Sequence, residues 1–177
     1  MTRAAATSGG SPRVAKSKGV LNDEKTDYEL VSALGNTSDW ETYHRIRREE
    51  LFDAKGRGGI YDANRAEEKL PNHFPLLLKF ENRGIGTTRL DVRSDRTAVI
   101  RLVAIAKNEQ GKGHGLELAK RVEQVAREKG TNRLLVNAAP EAVGYYEKLG
   151  YVRDDWDPSE KLMSIFTNSI QMSKVLK

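Results

Sequence analysis

Ala98 to Gly115, AVIRLVAIAKNEQGKGHG, is the stretch that decides how the rest of this chain is read. Ala98 to Ala106 is apolar except for Arg101 and rich in β-branched side chains, the pattern of a strand buried on both faces. A short polar stretch leads into Gln110-Gly111-Lys112-Gly113-His114-Gly115, and beyond it Leu116, Ala119, Val122 and Ala126 recur at helical spacing. The predicted order is therefore central strand, glycine turn, helix. The first turn of a helix carries backbone N–H groups without internal partners and roughly half a positive charge, so anions collect there. Glycines at 111, 113 and 115 remove the Cβ atoms that would hold a phosphate away from those donors, and they tolerate positive φ.

Two phosphate loops are excluded by neighbouring residues. A Walker loop needs Ser or Thr after Gly-Lys, but Lys112 is followed by Gly113. A dinucleotide fingerprint needs a third glycine where this chain has Leu116 or Leu118, and an acid further on where it has Arg133-Leu134-Leu135.

What the residues do match is Gln-x-x-Gly-x-Gly directly after a Val-Ala-Ile strand, followed downstream by Tyr145-Tyr146-Glu147-Lys148-Leu149-Gly150-Tyr151. Together, in this order, they resemble the pyrophosphate loop and the aromatic-Tyr-Glu-Lys-Leu-Gly-aromatic segment of the GNAT superfamily of acetyl-CoA-dependent N-acetyltransferases. The resemblance runs from about Tyr28 to Leu176. It implies a GNAT-like acyl-CoA N-acyltransferase fold, an α/β arrangement with a mixed, mostly antiparallel central sheet and helices on both faces.

The resemblance also implies roles. The backbone of Val103, Ala104 and Ile105 would pair with the pantetheine arm of acetyl-CoA, one N–H facing the thioester oxygen. Gln110, Gly111, Lys112, Gly113, His114 and Gly115 would hold the pyrophosphate through main-chain donors, with Lys112 as an added charge. Asn137, at a strand end, would bind the arm or satisfy the broken ladder. Tyr146 would be the general acid that protonates the departing thiolate, with Tyr145 among the cofactor-contacting residues. No base is identified. The strand position where lysine acetyltransferases of the superfamily often carry a Glu aligns with Val99, leaving Glu81 or Asp91 through water. The acidic turn Asp154, Asp155 and Asp157 around Trp156 reads as solvated, or as an attractor for a cationic amine.

The implied reaction is transfer of acetyl from acetyl-CoA, as cosubstrate and without a metal, to a primary amine of a small molecule or protein by direct attack in a ternary complex. The other reading is a non-catalytic acyl-CoA-binding sensor domain. Nucleic acid and membrane are not expected partners, and a homodimer is compatible with either reading.

Composition agrees with these limits. A chain of 177 residues fits one domain, with residues 26 to 177 as the acetyltransferase unit. The absence of cysteine excludes disulfides and thiolate metal sites and suits a cytoplasmic location. No apolar run approaches the roughly 20 residues of a membrane span, as in a soluble protein. Residues 1 to 25, rich in Ser, Gly, Ala and Lys, read as a disordered basic tail with five basic and two acidic side chains. The rest carries 25 basic and 23 acidic groups, too even for a nucleic-acid surface.

In chain order, Tyr28 to Leu34 alternates as a first strand. A helix is expected from about Asp39 to Phe52, capped by Ser38 or Asp39 with Glu41, burying Trp40, Tyr43, Ile46 and Leu51 and leaving Arg45, Arg47, Arg48, Glu49 and Glu50 mostly on the surface. His44 stands on it as an acceptor contact or an exposed histidine. A shorter polar helix is expected over Asp62 to Leu70, with Phe52, Ile60 and Tyr61 as candidate walls of an acceptor pocket. Phe74 to Phe80, Ile85 to Val92 and Thr97 to Ala106 read as antiparallel strands joined by short polar turns. A helix ending at Lys129-Gly130, a strand Arg133 to Asn137, a helix from Pro140 to Lys148 and strands at Tyr151 to Arg153 and Ser169 to Val175 complete the order. The passage from 98 to 137 should pair two strands in parallel by a right-handed crossover.

Overall fold

The parallel pairing expected around the glycine turn organises a seven-stranded sheet in the computed structural model, which describes residues 27–162 and 168–177. The basic tail expected over residues 1–25 lies outside the described residues. In chain order the elements are β1 (Tyr28–Ser32), α1 (Thr37–Arg47), β2 (His73–Phe80), β3 (Arg83–Val92), β4 (Thr97–Ile105), α2 (His114–Glu128), β5 (Arg133–Ala138), α3 (Val143–Lys148), β6 (Val152–Arg153), α4 (Pro158–Leu162) and β7 (Ile170–Val175). The sheet order is β1-β2-β3-β4-β5-β7-β6, antiparallel everywhere except between β4 and β5. This is the mixed, mostly antiparallel sheet that the sequence implied.

Strand alternation sorts side chains onto two faces. Leu76, Leu78, Leu90, Ala98, Ile100, Leu134 and Val136 form one core with Leu118, Val122 and Ala126 of α2 and Val143 and Tyr146 of α3. Leu77 and Ala104 point the other way and pack with Tyr43 and Ile46 of α1. Helices therefore cover both faces. Among the described residues no helix is long and apolar enough to cross a membrane.

The α1 region differs from expectation in three places. Its N-cap is Asn36, whose side chain accepts from the Asp39 N–H at 2.9 Å, in place of Ser38 or Asp39. The α-helix stops at Arg47 and continues as a π-helical turn over Arg48–Phe52. The helix expected over Asp62 to Leu70 is only a 3-10 turn at Ala66–Lys69. There the Asp62 carboxylate takes the Asn64 N–H at 2.8 Å, a local bond that competes with helix formation, and no apolar stripe rewards a longer helix.

Candidate active site

The site begins as a fault in the sheet. β4 pairs with β5 only from Thr97 to Ile100, against Arg133 to Val136, although both strands continue beyond. On the other side Thr87 faces Ala104 while Arg89 faces Arg101, so β4 holds one extra residue, and Leu102 sits there at φ 55. The bulge reverses the alternation of β4. Ala98 and Ile100 face α2 before it; Val103 and Ile105 do so after it, and Ala104 turns to α1. From Leu102 onward the edge of β4 towards β5 is without ladder partners, and a cleft of ≈ 910 Å³ opens there.

At the end of β4 the chain makes a 3-10 turn, Lys107–Glu109, and enters the glycine turn. Gly111 and Gly113 have φ of 74° and 87°, which favour glycine. Among the described residues no backbone carbonyl takes the N–H groups of residues 111 to 115. N–H groups without carbonyl partners at the start of a helix could hold a diphosphate. The Gln110 amide braces this loop, donating to Ile105 O at 2.9 Å and to Glu50 at 3.0 Å. Lys112 pairs with Glu109 at 3.1 Å. The His114 imidazole turns inward, 2.5 Å from the Tyr28 hydroxyl and 3.3 Å from Glu109, so only its main chain belongs to the loop.

α3 brings two tyrosines to the same cleft. Tyr145 donates to Gly115 O at 2.8 Å, and burial pushes its phenol up to about 12. Tyr146 is 7% exposed between the rings of Tyr145 and Tyr151, and burial, helped by Tyr145, holds its phenol well above the ordinary value. It is a protonated donor at neutral pH.

Val103, Ala104, Ile105, Gln110, Gly115, Asn137, Tyr145 and Tyr146 all line this cleft, as do Phe52, Ile60 and Tyr61; Gly111, Lys112, Gly113 and the His114 side chain do not. Asn137 is already engaged, accepting from Gln171 at 3.0 Å and donating to Glu160 O at 3.4 Å. Glu81 stands in the β2–β3 turn with its side chain 59% exposed, away from the cleft, while both Asp91 oxygens are held by Arg89. Asp154 is bound by Arg133 and Ser173, and Trp156 lies under the Arg93 guanidinium.

His44 is neither exposed nor in the cleft. It is 8% exposed, 2.5 Å from the Tyr61 hydroxyl, and burial together with Arg47 pushes its imidazole down to about 4.

The larger surprise is Arg47, expected at the surface and found 1% exposed. It opens an alternating ladder across the α1 side of the cleft. Arg47 meets Glu68 at 2.8 Å, Glu68 meets Arg89 at 2.8 Å, and Arg89 meets Asp91 at 2.7 Å. Asp91 meets Arg101 at 2.5 Å, Arg101 meets Glu160 at 2.9 Å, and Glu160 meets Arg93 at 2.9 Å. Burying such charges is tolerable only because each carboxylate lies between two guanidiniums. A signal existed: Arg89 and Asp91 share one face of a strand, and Arg101 interrupts the apolar β4.

Residues 38–151 match the model of the Acetyltransferase (GNAT) family. A glucosamine 6-phosphate N-acetyltransferase from Candida albicans is 41% identical over 49 residues, 28% of this chain and 33% of that protein, so the match spans about a third of the relative. Among solved structures, an acyl-CoA N-acyltransferase from Pseudomonas aeruginosa superposes with a TM-score of 0.66 at 18% identity, covering 84% of this chain and 98% of that one. The PaiA N-acetyltransferase from Thermoplasma acidophilum, solved in complex with coenzyme A, gives 0.59 at 18% identity, covering 84% and 99%. The structural likenesses show the fold, and the family match shows the lineage: the chain belongs to the GNAT acetyltransferase family.

Proposed function

We propose that this protein is an N-acetyltransferase that transfers the acetyl group of acetyl-CoA to a primary amine of a small molecule or protein, by direct attack in a ternary complex. The observation that carries the reading is the opening of β4 at Leu102 between the unpaired N–H groups of the glycine turn and the protonated phenol of Tyr146. Acetyl-CoA would supply an activated thioester. The N–H groups of residues 111 to 115 would hold its diphosphate, and the free edge of β4 at Val103 to Ile105 its extended arm. A main-chain N–H on that edge would stabilise the carbonyl oxygen as it gains charge. Tyr146 would protonate the departing sulfur. Side-chain identity matters little on the β4 edge because backbone does the holding, which is why plain core residues occupy it. The cysteine-free chain suits a reducing, cytoplasmic setting.

The alternative, a sensor that binds acyl-CoA without turnover, shares every cofactor contact. Tyr146 favours the enzyme, because a buried phenol lining the cleft serves proton transfer more than binding. Release of CoA thiol in the presence of an amine panel tests it. Turnover that falls by roughly 10² in Tyr146→Phe supports the acid role, whereas CoA binding with no thiol release from any amine sinks the enzyme reading.

A further inference from the structure

We infer that the acceptor amine carries an anionic oxygen group, a carboxylate or a phosphate, which docks on the guanidiniums of Arg101 and Arg93 at the open end of the charge ladder. The inference rests on the acetyltransferase reading and narrows its substrate.

The ladder has two parts. Its inner four members, Arg47, Glu68, Arg89 and Asp91, have side chains at most 9% exposed and cancel as two pairs. Its outer three, Arg101, Glu160 and Arg93, are 27%, 17% and 31% exposed and all line the cleft. Within the cleft this end presents two guanidiniums to one carboxylate, while Asp157, 3.9 Å from Arg93 and outside the cleft, offsets Arg93 from behind and also takes the N–H and the hydroxyl of Ser159.

Charge alone would attract any anion; donors make the position specific. Arg101 spends Nε on Asp91 and Nη2 on Glu160, and Arg93 spends Nη2 on Glu160. Arg101 Nη1 and the Nε and Nη1 of Arg93 have no protein acceptor among the described residues. Both groups are pre-set, Arg101 between two carboxylates and Arg93 over the Trp156 ring at 5.3 Å. A planar guanidinium with free N–H groups and little rotamer freedom to lose is suited to oxyanions. Arg101 also directly precedes Leu102, where the β4 edge opens, so an anion held there keeps the attached amine close to that edge.

The test titrates the CoA-loaded protein calorimetrically with matched amines. In one arm each α-amino acid is compared with the amine left when its carboxylate is removed; in the other an amino-sugar phosphate is compared with the same amino sugar. The expected result is binding at least about tenfold tighter for the anionic member in one arm, which identifies the anion. That advantage should shrink by about tenfold in Arg93→Gln and in Arg101→Lys, while the unloaded variants melt as folded proteins. Equal binding within every pair, tighter binding of the uncharged members, no binding by any amine, or a preference unchanged in both variants overturns the inference. Thiol release is followed with the same amines. Anion-selective binding without turnover leaves this site standing and counts against acetyl transfer.

Discussion

The Tyr145 hydroxyl donates to the Gly115 carbonyl at 2.8 Å, which ties α3 to the first turn of α2. A Cβ at residue 115 would stand 3.4 Å from the Tyr145 ring and 3.6 Å from its hydroxyl, ordinary packing distances, so the bond itself does not depend on glycine there. Adjacent tyrosines thus divide their work. Tyr145 ties α3 to the glycine turn, and on the proposed reading Tyr146, which lines the cleft, would give up its proton there.

The division gives opposite signatures on removing each hydroxyl. Tyr145→Phe loses a partly buried hydrogen bond and should cost about 1 kcal/mol of stability, with a raised KM for acetyl-CoA and a nearly unchanged kcat. Tyr146→Phe should keep its melting temperature and lose roughly 10² in kcat. Thermal melts and steady-state kinetics on both variants check the pair.

Gly84 permits α1 to lie close on the sheet. A Cβ there would come within 2.7 Å of Thr42 Cγ2 and 3.2 Å of both methyl groups of Leu77, which is fully buried. Gly84→Ala should therefore destabilise by about 1 to 3 kcal/mol, measured as a lowered denaturant midpoint with an unchanged slope.

How far the sequence carried this picture depends on where each feature's cause lies along the chain. The β4 strand, the glycine turn and the α2 helix were legible because each follows from local pattern, and the parallel pairing of β4 with β5 follows from the strand–helix–strand order, whose helix carries the chain back across the sheet. Leu102 was not legible: a single inserted residue in an apolar run leaves no compositional trace, yet it opens the cleft. Arg47 was misplaced because helical spacing says which residues share a side and nothing about what lies opposite. Its partner Glu68 is 21 residues away in sequence, in a segment whose own pattern suggested a different element. His44 was misread for the same reason, its partner Tyr61 arriving from the following loop.

Glu68 is the hinge of the buried ladder. Burial pushes its carboxyl up, but the Arg47 guanidinium, with its hydrogen bond and Arg89, outweighs burial and holds it below the ordinary 4.5. A depressed folded value means that this stabilisation is complete above the unfolded value and is lost as pH falls through the folded one. The melting temperature should therefore decline below about pH 4.5. Glu68→Gln leaves two buried guanidiniums short of a counter-charge and should cost about 3 to 5 kcal/mol at pH 7, with a shallower acid decline than wild type. Melts from neutral to acid pH on both proteins check the sign.

Glu50 joins the two halves of the cleft. It lies on the π-helical turn that carries Phe52, a wall of the α1 side, and reaches across to the approach of the glycine turn. One carboxylate oxygen accepts from the Lys107 N–H at 2.8 Å and the other from the Gln110 amide at 3.0 Å. The Gln110 amide in turn holds the Ile105 carbonyl, so Glu50 supports the end of β4 and the start of the glycine turn together. Glu50→Ala removes both acceptors and should raise the KM for acetyl-CoA about tenfold, because the approach to the glycine turn would lose its support. It should raise the acceptor KM as well, since the Arg48–Phe52 turn loses its anchor. Glu50→Gln, which keeps a carbonyl oxygen for Lys107 but presents an amide where Gln110 donates, should fall between the two. A purely structural role would lower the melting temperature and leave both KM values where they were; movement of both constants with the fold intact is the result that identifies Glu50 as the link between the cofactor and acceptor sides.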